Sequence, residues 1–381
     1  MKVQFNRAAL AEALGLLTSV VPSRTPKPIL RCVRLETSES PTGDSQAHCV
    51  HIYATDLEVG INYTITEVQV IETGQTVLDA DRLSAIVRES TDEVLTLDVS
   101  DTTCQIRGRD SHFTIYSQEA EQFPAVPSLE GQPDMELALD ELKTGTKQCL
   151  FSTARESSRY AINGVLWEVK GKKLILVATD GRRLAKTRVN LLTVQPTAGQ
   201  GKEESGLKVI VPAKTMALLE KLGSHNKEKV AVKLSGSQIL LCSSQVSISS
   251  NLVEGTFPKY EDIIPKDYNK KISLNSEAVA SAVRRASLLA SEETKGIKLS
   301  ISEDQLMFSG RAPEAGAAEI TMAIDYKDEP ITIGFNPQFI MDALKVIQTA
   351  EFDLELGQSD RPGLIKSGGE FVYVIMPINL G

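Results

Sequence analysis

The chain has 381 residues, a formal charge of −9, 41% hydrophobic and 24% charged residues. This is the composition of an ordinary folded protein, and at roughly 100–200 residues per domain it predicts two to four domains. No apolar run approaches the ~18 residues of a membrane helix, the opening Met1-Lys2-Val3-Gln4-Phe5-Asn6 lacks a signal-peptide core, and the acidity argues against a simple basic nucleic-acid binder while leaving room for a local basic surface. The cysteines Cys32, Cys49, Cys104, Cys149 and Cys242 are far apart and form no CxxC pair. A disulfide framework or zinc knuckle is therefore not expected, and a reducing cytoplasm is the expected compartment.

Asn6 is placed to cap a helix with Ala9, Leu10, Ala13, Leu14 and Leu17 on one face. Prolines keep the segment 22–28 non-helical. Strands are predicted over 30–36, 50–55 and 60–70, with a polar loop at 37–47 and a turn at Thr55-Asp56-Leu57-Glu58. A second helix begins near 79–81 and turns Leu83, Ile86 and Val87 inward. Strands near 94–99, 103–108 and 112–117 lead to Glu121-Gln122-Phe123-Pro124.

The pattern then restarts. A strand at 135–139 precedes a helix capped by Asp140, with Leu142, Thr146 and Cys149 inward. Strands at 163–169 and 173–178 lead to a hairpin turn at Asp180-Gly181, where glycine accepts φ > 0, and Arg182, Arg183 and Leu184 begin the return strand. A Gly/Ser/Glu/Lys-rich loop is predicted at 193–206. Val209-Ile210-Val211-Pro212 opens a helix with Met216, Leu219 and Leu222 inward and Gly223 as its stop. The third pass has a strand at 271–274. It continues with a helix capped by Asn275, bearing Val279, Ala282, Val283, Ala286 and Leu289 on one side. The strand Ile333-Gly334-Phe335 then ends at Asn336-Pro337, an N-cap followed by proline at the first helical position. That helix buries Phe339, Ile340, Ala343, Leu344 and Ile347, and a strand at 371–376 closes the chain.

Three units thus share one order, and their strand-to-helix junctions at Val77, Val209 and Ile333 recur at a spacing of roughly 130 residues, too long for a solenoid. The expected fold is α+β, three repeated domains at 1–130, 131–265 and 266–381, each two helices packed on antiparallel sheet. Basic residues sit on the outer helix faces: Arg7, Arg82 and Arg88, then Lys143, Lys147, Lys214 and Lys221, then Arg284, Arg285 and Lys345. Acidic residues such as Glu119, Glu121, Asp325, Asp328 and Glu329 fall in turns and outer strands. These faces read either as ordinary solvated surfaces or as a basic helical surface that would hold duplex phosphates without sequence readout. No motif for base-edge recognition is present.

Five stretches together carry a resemblance that covers the whole chain. They are Arg159-Tyr160-Ala161-Ile162-Asn163-Gly164-Val165, Ala178-Thr179-Asp180-Gly181-Arg182-Arg183-Leu184-Ala185, Phe257-Pro258-Lys259-Tyr260 with Ile264-Pro265, Gly334-Phe335-Asn336-Pro337, and Val374-Ile375-Met376-Pro377. In this order and spacing the sequence resembles the beta subunit of bacterial DNA polymerase III, the replicative sliding clamp. The resemblance implies a ring-shaped head-to-tail homodimer of six domains, with helices lining the hole and sheets outside. Duplex DNA would be encircled without sequence specificity. The subunit would be non-catalytic, with nucleotidyltransferase activity belonging to the partner polymerase, and no cofactor or metal is implied. Implied partners are the polymerase alpha subunit, the clamp-loader delta subunit, and other polymerases and repair proteins that carry short hydrophobic motifs.

The matching peptide-pocket positions, between the second and third domains, are Ile162, Thr179, Gly181, Arg183, Leu184, Pro258, Ile263, Asn336, Phe339, Pro362, Val374, Ile375, Met376, Pro377 and Leu380. Aliphatic and Met side chains suit an adaptable apolar cleft, with Arg183 and Asn336 expected to fix a peptide's polar groups. For DNA the resemblance implies Arg24, Arg82, Tyr160 and Lys214; for the subunit interface, Phe113 against Leu288 and Leu289. Departures from the family pattern are Arg182 in place of a frequent His, Asp262 in place of an Arg, a terminal Gly381, Ala161 in place of a bulky residue, Glu156 in place of a polar one, and Asp81 at a DNA position. Rival readings are weaker. Cys49 and His51 share a strand face while His48 points away, and two ligands make no metal site. Asp56, Glu58 and Asp180 have no partnered nucleophile or phosphate loop for hydrolysis. A protein-interaction scaffold would need the same pocket but no basic channel.

Overall fold

The computed structural model describes residues 1–39, 48–100, 102–155, 161–195, 207–223, 228–266, 268–291 and 296–380. Among these residues lie six α-helices: α1 (Arg7–Leu17), α2 (Ala80–Glu89), α3 (Leu139–Leu150), α4 (Ala213–Lys221), α5 (Ser276–Ser287) and α6 (Pro337–Val346). Four start directly after a strand, at a residue whose side chain accepts the orphan N–H groups of the first turn. Asn6 accepts from Ala8 and Ala9, Asp79 from Arg82, Asn275 from Ala278 and Asn336 from Gln338. The expected cap at Asp140 is corrected. α3 begins one residue earlier, Asp140 is exposed within its first turn, and the Leu139 N–H donates to the Glu228 carbonyl at 2.9 Å instead. The inward faces follow the apolar spacing, with Ala9, Ile86, Leu289, Phe339 and Ile347 only half-buried at the stripe edges.

Close contacts divide the chain into two units. The first comprises Met1–Asp140, Leu191–Gly201 and Ala217–Leu252. One of its sheets runs, by antiparallel pairing, through Met135–Ala138, Lys229–Ser235, Gln238–Cys242, Val246–Asn251, Val59–Ile65, His48–Thr55, Cys32–Glu39 and Gln75–Asp79. The other runs through Val68–Glu72, Lys2–Asn6, Val94–Ser100, Thr103–Arg107 and His112–Gln118. The single strand expected at 60–70 is therefore two, because its halves join different sheets. The strands Cys32–Glu39 and Arg183–Val194 also extend into the loops expected at 37–47 and 193–206; residues 40–47 and 196–206 lie outside the described residues.

The second unit comprises Glu141–Asn190, Lys202–Met216 and Val253–Gly381. Its larger sheet orders Lys208–Pro212, Gly164–Lys170, Lys173–Thr179, Arg183–Val194, Phe371–Ile375, Gly363–Ser367, Glu351–Leu356 and Lys270–Asn275. A four-stranded sheet orders Ile331–Phe335, Ile297–Ser302, Gln305–Ala312 and Gly316–Ala323.

Each unit contains one join of the same kind. In the first, Val246–Asn251 adds to the edge of Val59–Ile65, with Ile248 opposite Ile61; in the second, Phe371–Ile375 adds to Arg183–Val194, with Val374 opposite Leu184. Both receiving strands emerge from the same turn. Thr55 Oγ1 donates to the Val59 carbonyl at 3.0 Å and Asp56 Oδ1 accepts from the Glu58 and Val59 N–H groups. Thr179 Oγ1 donates to the Arg183 carbonyl at 2.7 Å and Asp180 Oδ1 accepts from the Arg182 and Arg183 N–H groups. The residue after each aspartate has positive φ, 78° at Leu57 and 85° at Gly181, so the two turns share one geometry.

Ion pairs fasten the second join. Glu370 meets Lys173, and Arg188 at 3.2 Å. The Lys173 hydrogen bond is the main cause holding Glu370 below the usual carboxylate range. A depressed carboxylate contributes stability above its unfolded pKa and loses it as pH falls through the lower folded value. Solvent exposure of the groups limits this to at most about 0.5 kcal/mol. Glu370→Gln is accordingly expected to lower stability at neutral pH by at most about 0.5 kcal/mol, with the difference from wild type vanishing below the carboxylate range, measured by urea titrations across that span.

Candidate functional site

The hairpin at Asp180-Gly181 organises the site. Its Arg183 side chain is only 11% exposed and spans three elements. Nε donates to Asp180 Oδ2 at 3.0 Å, one terminal nitrogen to Asp342 Oδ2 on α6 at 2.8 Å, and the other to the Phe151 carbonyl at 2.7 Å. The guanidinium also lies over the Phe339 ring at 4.5 Å and the Phe151 ring at 5.4 Å. Burial disfavours its charge, but the bond to Asp342 and the nearby carboxylates outweigh that and raise its pKa. Tyr373 completes the cluster. Burial pushes its phenol up, the Arg183 charge pulls it back, and its hydroxyl donates to the Phe339 carbonyl at 3.1 Å. The Asn336 side chain is likewise engaged, as the cap of α6 at 2.9 Å from the Gln338 N–H. The two polar residues expected to grip a peptide thus have structural work: Arg183 ties α6 to the hairpin, and Asn336 caps the first turn of that helix.

The apolar positions divide into three groups. Ile162, Leu184 and Val374 are buried in one cluster with Val177, Phe257 and Tyr260. Ile375 points to the opposite sheet face, as period-2 alternation requires, and lines an apolar core with Leu274, Phe335 and Ile340. Ile263, Pro362 and Met376 line an open groove of about 960 Å³, with Met376 40% exposed. Pro377 and Leu380 line an adjoining hollow of about 450 Å³ with Gly334. There the tail is seated tightly. The Ile378 N–H donates to the Gly334 carbonyl at 2.9 Å, and a Cβ on Gly334 would lie 2.5 Å from the Ile378 carbonyl oxygen. Thr179 supports the hairpin backbone, Gly181 turns it, and Pro258 stands half-buried between buried Phe257 and Tyr260.

Sequence reasoning missed Asp342, Phe151 and Tyr373 around Arg183, and Lys266, Tyr268, Asp360 and Arg361 along the groove. Asp342 alone left a signal, an acidic residue next to the apolar stripe of α6. Asp262, on the groove rim, forms no ion pair among the described residues. Arg24, Arg82 and Lys214 are exposed on a loop, on α2 and on α4, while Tyr160 and Glu156 lie outside the described residues. Phe113 is 39% and Leu288 80% exposed, whereas Leu289 is half-buried, so Leu288 presents the larger apolar surface. Among the described residues no group of three or more His, Cys, Asp or Glu could hold a metal ion.

Removing one partner of a buried, hydrogen-bonded charge cluster strands the others. Arg183→Ala is expected to destabilise the protein by about 3 kcal/mol and to release α6 from the hairpin. Chemical denaturation measures the first, and faster amide exchange across 336–346 the second.

Comparison with known proteins accounts for the whole length. The DNA polymerase III beta subunit N-terminal domain matches residues 1–127, the central domain residues 136–259 and the C-terminal domain residues 261–379. The beta sliding clamp of Pseudomonas putida is 29% identical over 383 residues, covering 100% of both chains. That of Chlamydia pneumoniae is 28% identical over 381 residues, covering 100% of this chain and 99% of the relative. Among solved structures, the Pseudomonas aeruginosa sliding clamp bound to griselimycin superimposes with a TM-score of 0.89 at 28% identity, and the Bartonella birtlesii clamp bound to griselimycin with 0.87 at 30%, each covering 100% of both chains. With all three domain families matched in order, the chain belongs to the DNA polymerase III beta subunit family, the bacterial beta sliding clamps.

Proposed function

We propose that two copies of this chain close head to tail into a ring that encircles duplex DNA and tethers the replicative polymerase to it. The protein is a processivity factor and does no chemistry. The observation that carries this reading is the repeated strand join. Two of the three domains receive the last strand of the next one: Val59–Ile65 receives Val246–Asn251, and Arg183–Val194 receives Phe371–Ile375. One donor and one receiver remain. His112–Gln118 is the last strand of the first domain, and Gly316–Ala323 ends its sheet with Gln305–Ala312 as its one strand partner among the described residues. A second copy supplies a partner for both edges in a closed two-fold arrangement. Phe113 lies on the donor edge; Leu288, just past α5, is the proposed apolar contact on the receiving side.

The domains run 1–130, 131–265 and 266–381 in this reading. Arg24, Arg82, Tyr160 and Lys214 face phosphates transiently, and the chain's net acidity discourages adhesion from outside. The hairpin–α6 cluster supports an apolar receptor for short hydrophobic motifs of the polymerase, the loader and repair proteins. Tethering raises the polymerase's effective concentration at the primer end. No described helix is long and apolar enough to cross a membrane, and the cytoplasm is the proposed compartment.

Native mass should be about twice 41.4 kDa, and protein loaded on a circular duplex should be lost when the circle is cut; a strict monomer, or retention on linear DNA, overturns encirclement. Replacing Arg24, Arg82 and Lys214 together by Ala should lower processivity and reduce the salt slope of DNA association by up to about 0.9 for each phosphate no longer engaged. Unchanged loading and processivity would favour the scaffold reading.

A further inference from the structure

On the larger sheet of the second unit, the buried Tyr260 ring has three ammonium groups about it. Lys186 Nζ lies 5.3 Å from the ring centroid, Lys208 Nζ 5.9 Å and Lys170 Nζ 6.0 Å. Two of the three have carboxylates to answer them. Lys170 pairs with Glu168 at 3.0 Å and with Glu261 at 3.4 Å, Lys208 lies 3.9 Å from Glu168, and the Tyr260 hydroxyl donates to the same Glu168. Arg188, two residues along the strand and so on the same face as Lys186, pairs with Glu370. Lys186 is left over. It is half-buried, its register neighbours across the sheet are Val177 and Val372, and its ammonium makes no hydrogen bond or ion pair among the described residues. Burial, then the Arg188 charge, pull its pKa below the usual lysine value; Lys170 adds to them, and Glu261 and Glu168 offset them only in part. Lys170, at the same ring, is shifted the other way: burial disfavours its charge, but its bonds to Glu168 and Glu261 outweigh that.

An ammonium with no carboxylate of its own, set among other cations, gives up its proton more readily than a solvated lysine, and the neutral amine is the nucleophile. The ion pairs of this cluster leave its cations in excess, Lys170, Lys173, Lys186, Lys208 and Arg188 against Glu168, Glu261 and Glu370. A donor carrying negative charge is therefore favoured. We propose that Lys186 is an acylation site whose acyl donor is a small acyl phosphate. The neutral Nζ attacks the acyl carbon and a C–N bond forms. The C–O bond to the phosphate breaks, phosphate leaves with the electron pair of that bond, and the proton released from nitrogen passes to solvent. The product is a neutral amide. Lys170 and Arg188 then lose a like-charged neighbour, and the change falls beside Val372, on the join between Arg183–Val194 and Phe371–Ile375.

Acetyl phosphate is the probe, incubated with the full-length protein at neutral pH, with acetylation followed residue by residue by mass spectrometry. Lys186 should react about threefold faster than the exposed Lys172, and in urea the two should react alike. Arg188→Gln removes the strongest charge acting on Lys186 and should slow its acetylation about twofold, with Lys172 and the circular dichroism unchanged. The same acyl group offered as a neutral ester, p-nitrophenyl acetate, should show a smaller preference for Lys186. Equal rates at Lys186 and Lys172 in the folded protein, a difference that persists in urea, or a wild-type rate in Arg188→Gln overturns the site. An equal or larger preference with the neutral ester overturns the acyl phosphate as its donor.

Discussion

An unpaired strand edge is the constraint on which this architecture rests. Backbone N–H and C=O groups at a sheet margin demand partners, and an open edge templates uncontrolled association. The chain meets this demand twice by letting a strand of one domain complete the sheet of the previous one. The receiving strands are positioned by matched turns, Thr55-Asp56-Leu57 and Thr179-Asp180-Gly181, whose aspartates collect two backbone N–H groups each. The same geometry holds with Leu in one turn and Gly in the other, although a left-handed φ favours glycine. The turn is evidently worth more than the local strain.

The second turn also supports the proposed recognition surface. Arg183 begins the receiving strand and simultaneously pins α6 through Asp342, so the join and the proposed pocket share one side chain. With the Arg183 donors engaged internally, the polar groups left along the groove include Lys266, Asp360 and Arg361 beside the apolar Ile263, Pro362 and Met376. In the proposed function the adaptable Met376 side chain suits a receptor that exchanges several partners.

Much of this was legible in the sequence. Helix positions, three of the caps, the recurrent strand–helix junctions and the hairpin at 180–181 follow from periodicity and turn chemistry. What escaped was set by tertiary structure. Asp140 looks like a cap, but the Glu228 carbonyl already takes the Leu139 N–H. The run at 60–70 reads as one strand because nothing local reveals that its halves belong to different sheets. Val374 and Ile375 match the family pattern together, yet adjacent strand residues face opposite ways, so Val374 packs with Ile162 and Leu184 and Ile375 with Leu274 and Phe335. The role of Arg183 depended on Asp342, 159 positions away, a separation that no local pattern encodes.

The two joins inside the chain also differ in kind from those between copies. An internal join that breaks leaves its halves leashed by the intervening polypeptide, at an effective concentration near the millimolar range for short tethers. A join between copies has no leash, and its closure must overcome lost translational freedom. Four of the six seams in the ring are therefore self-healing and two are not. In the proposed ring a subunit boundary is therefore the seam that parts, and a machine that opens it needs only to hold one boundary apart, without unfolding anything.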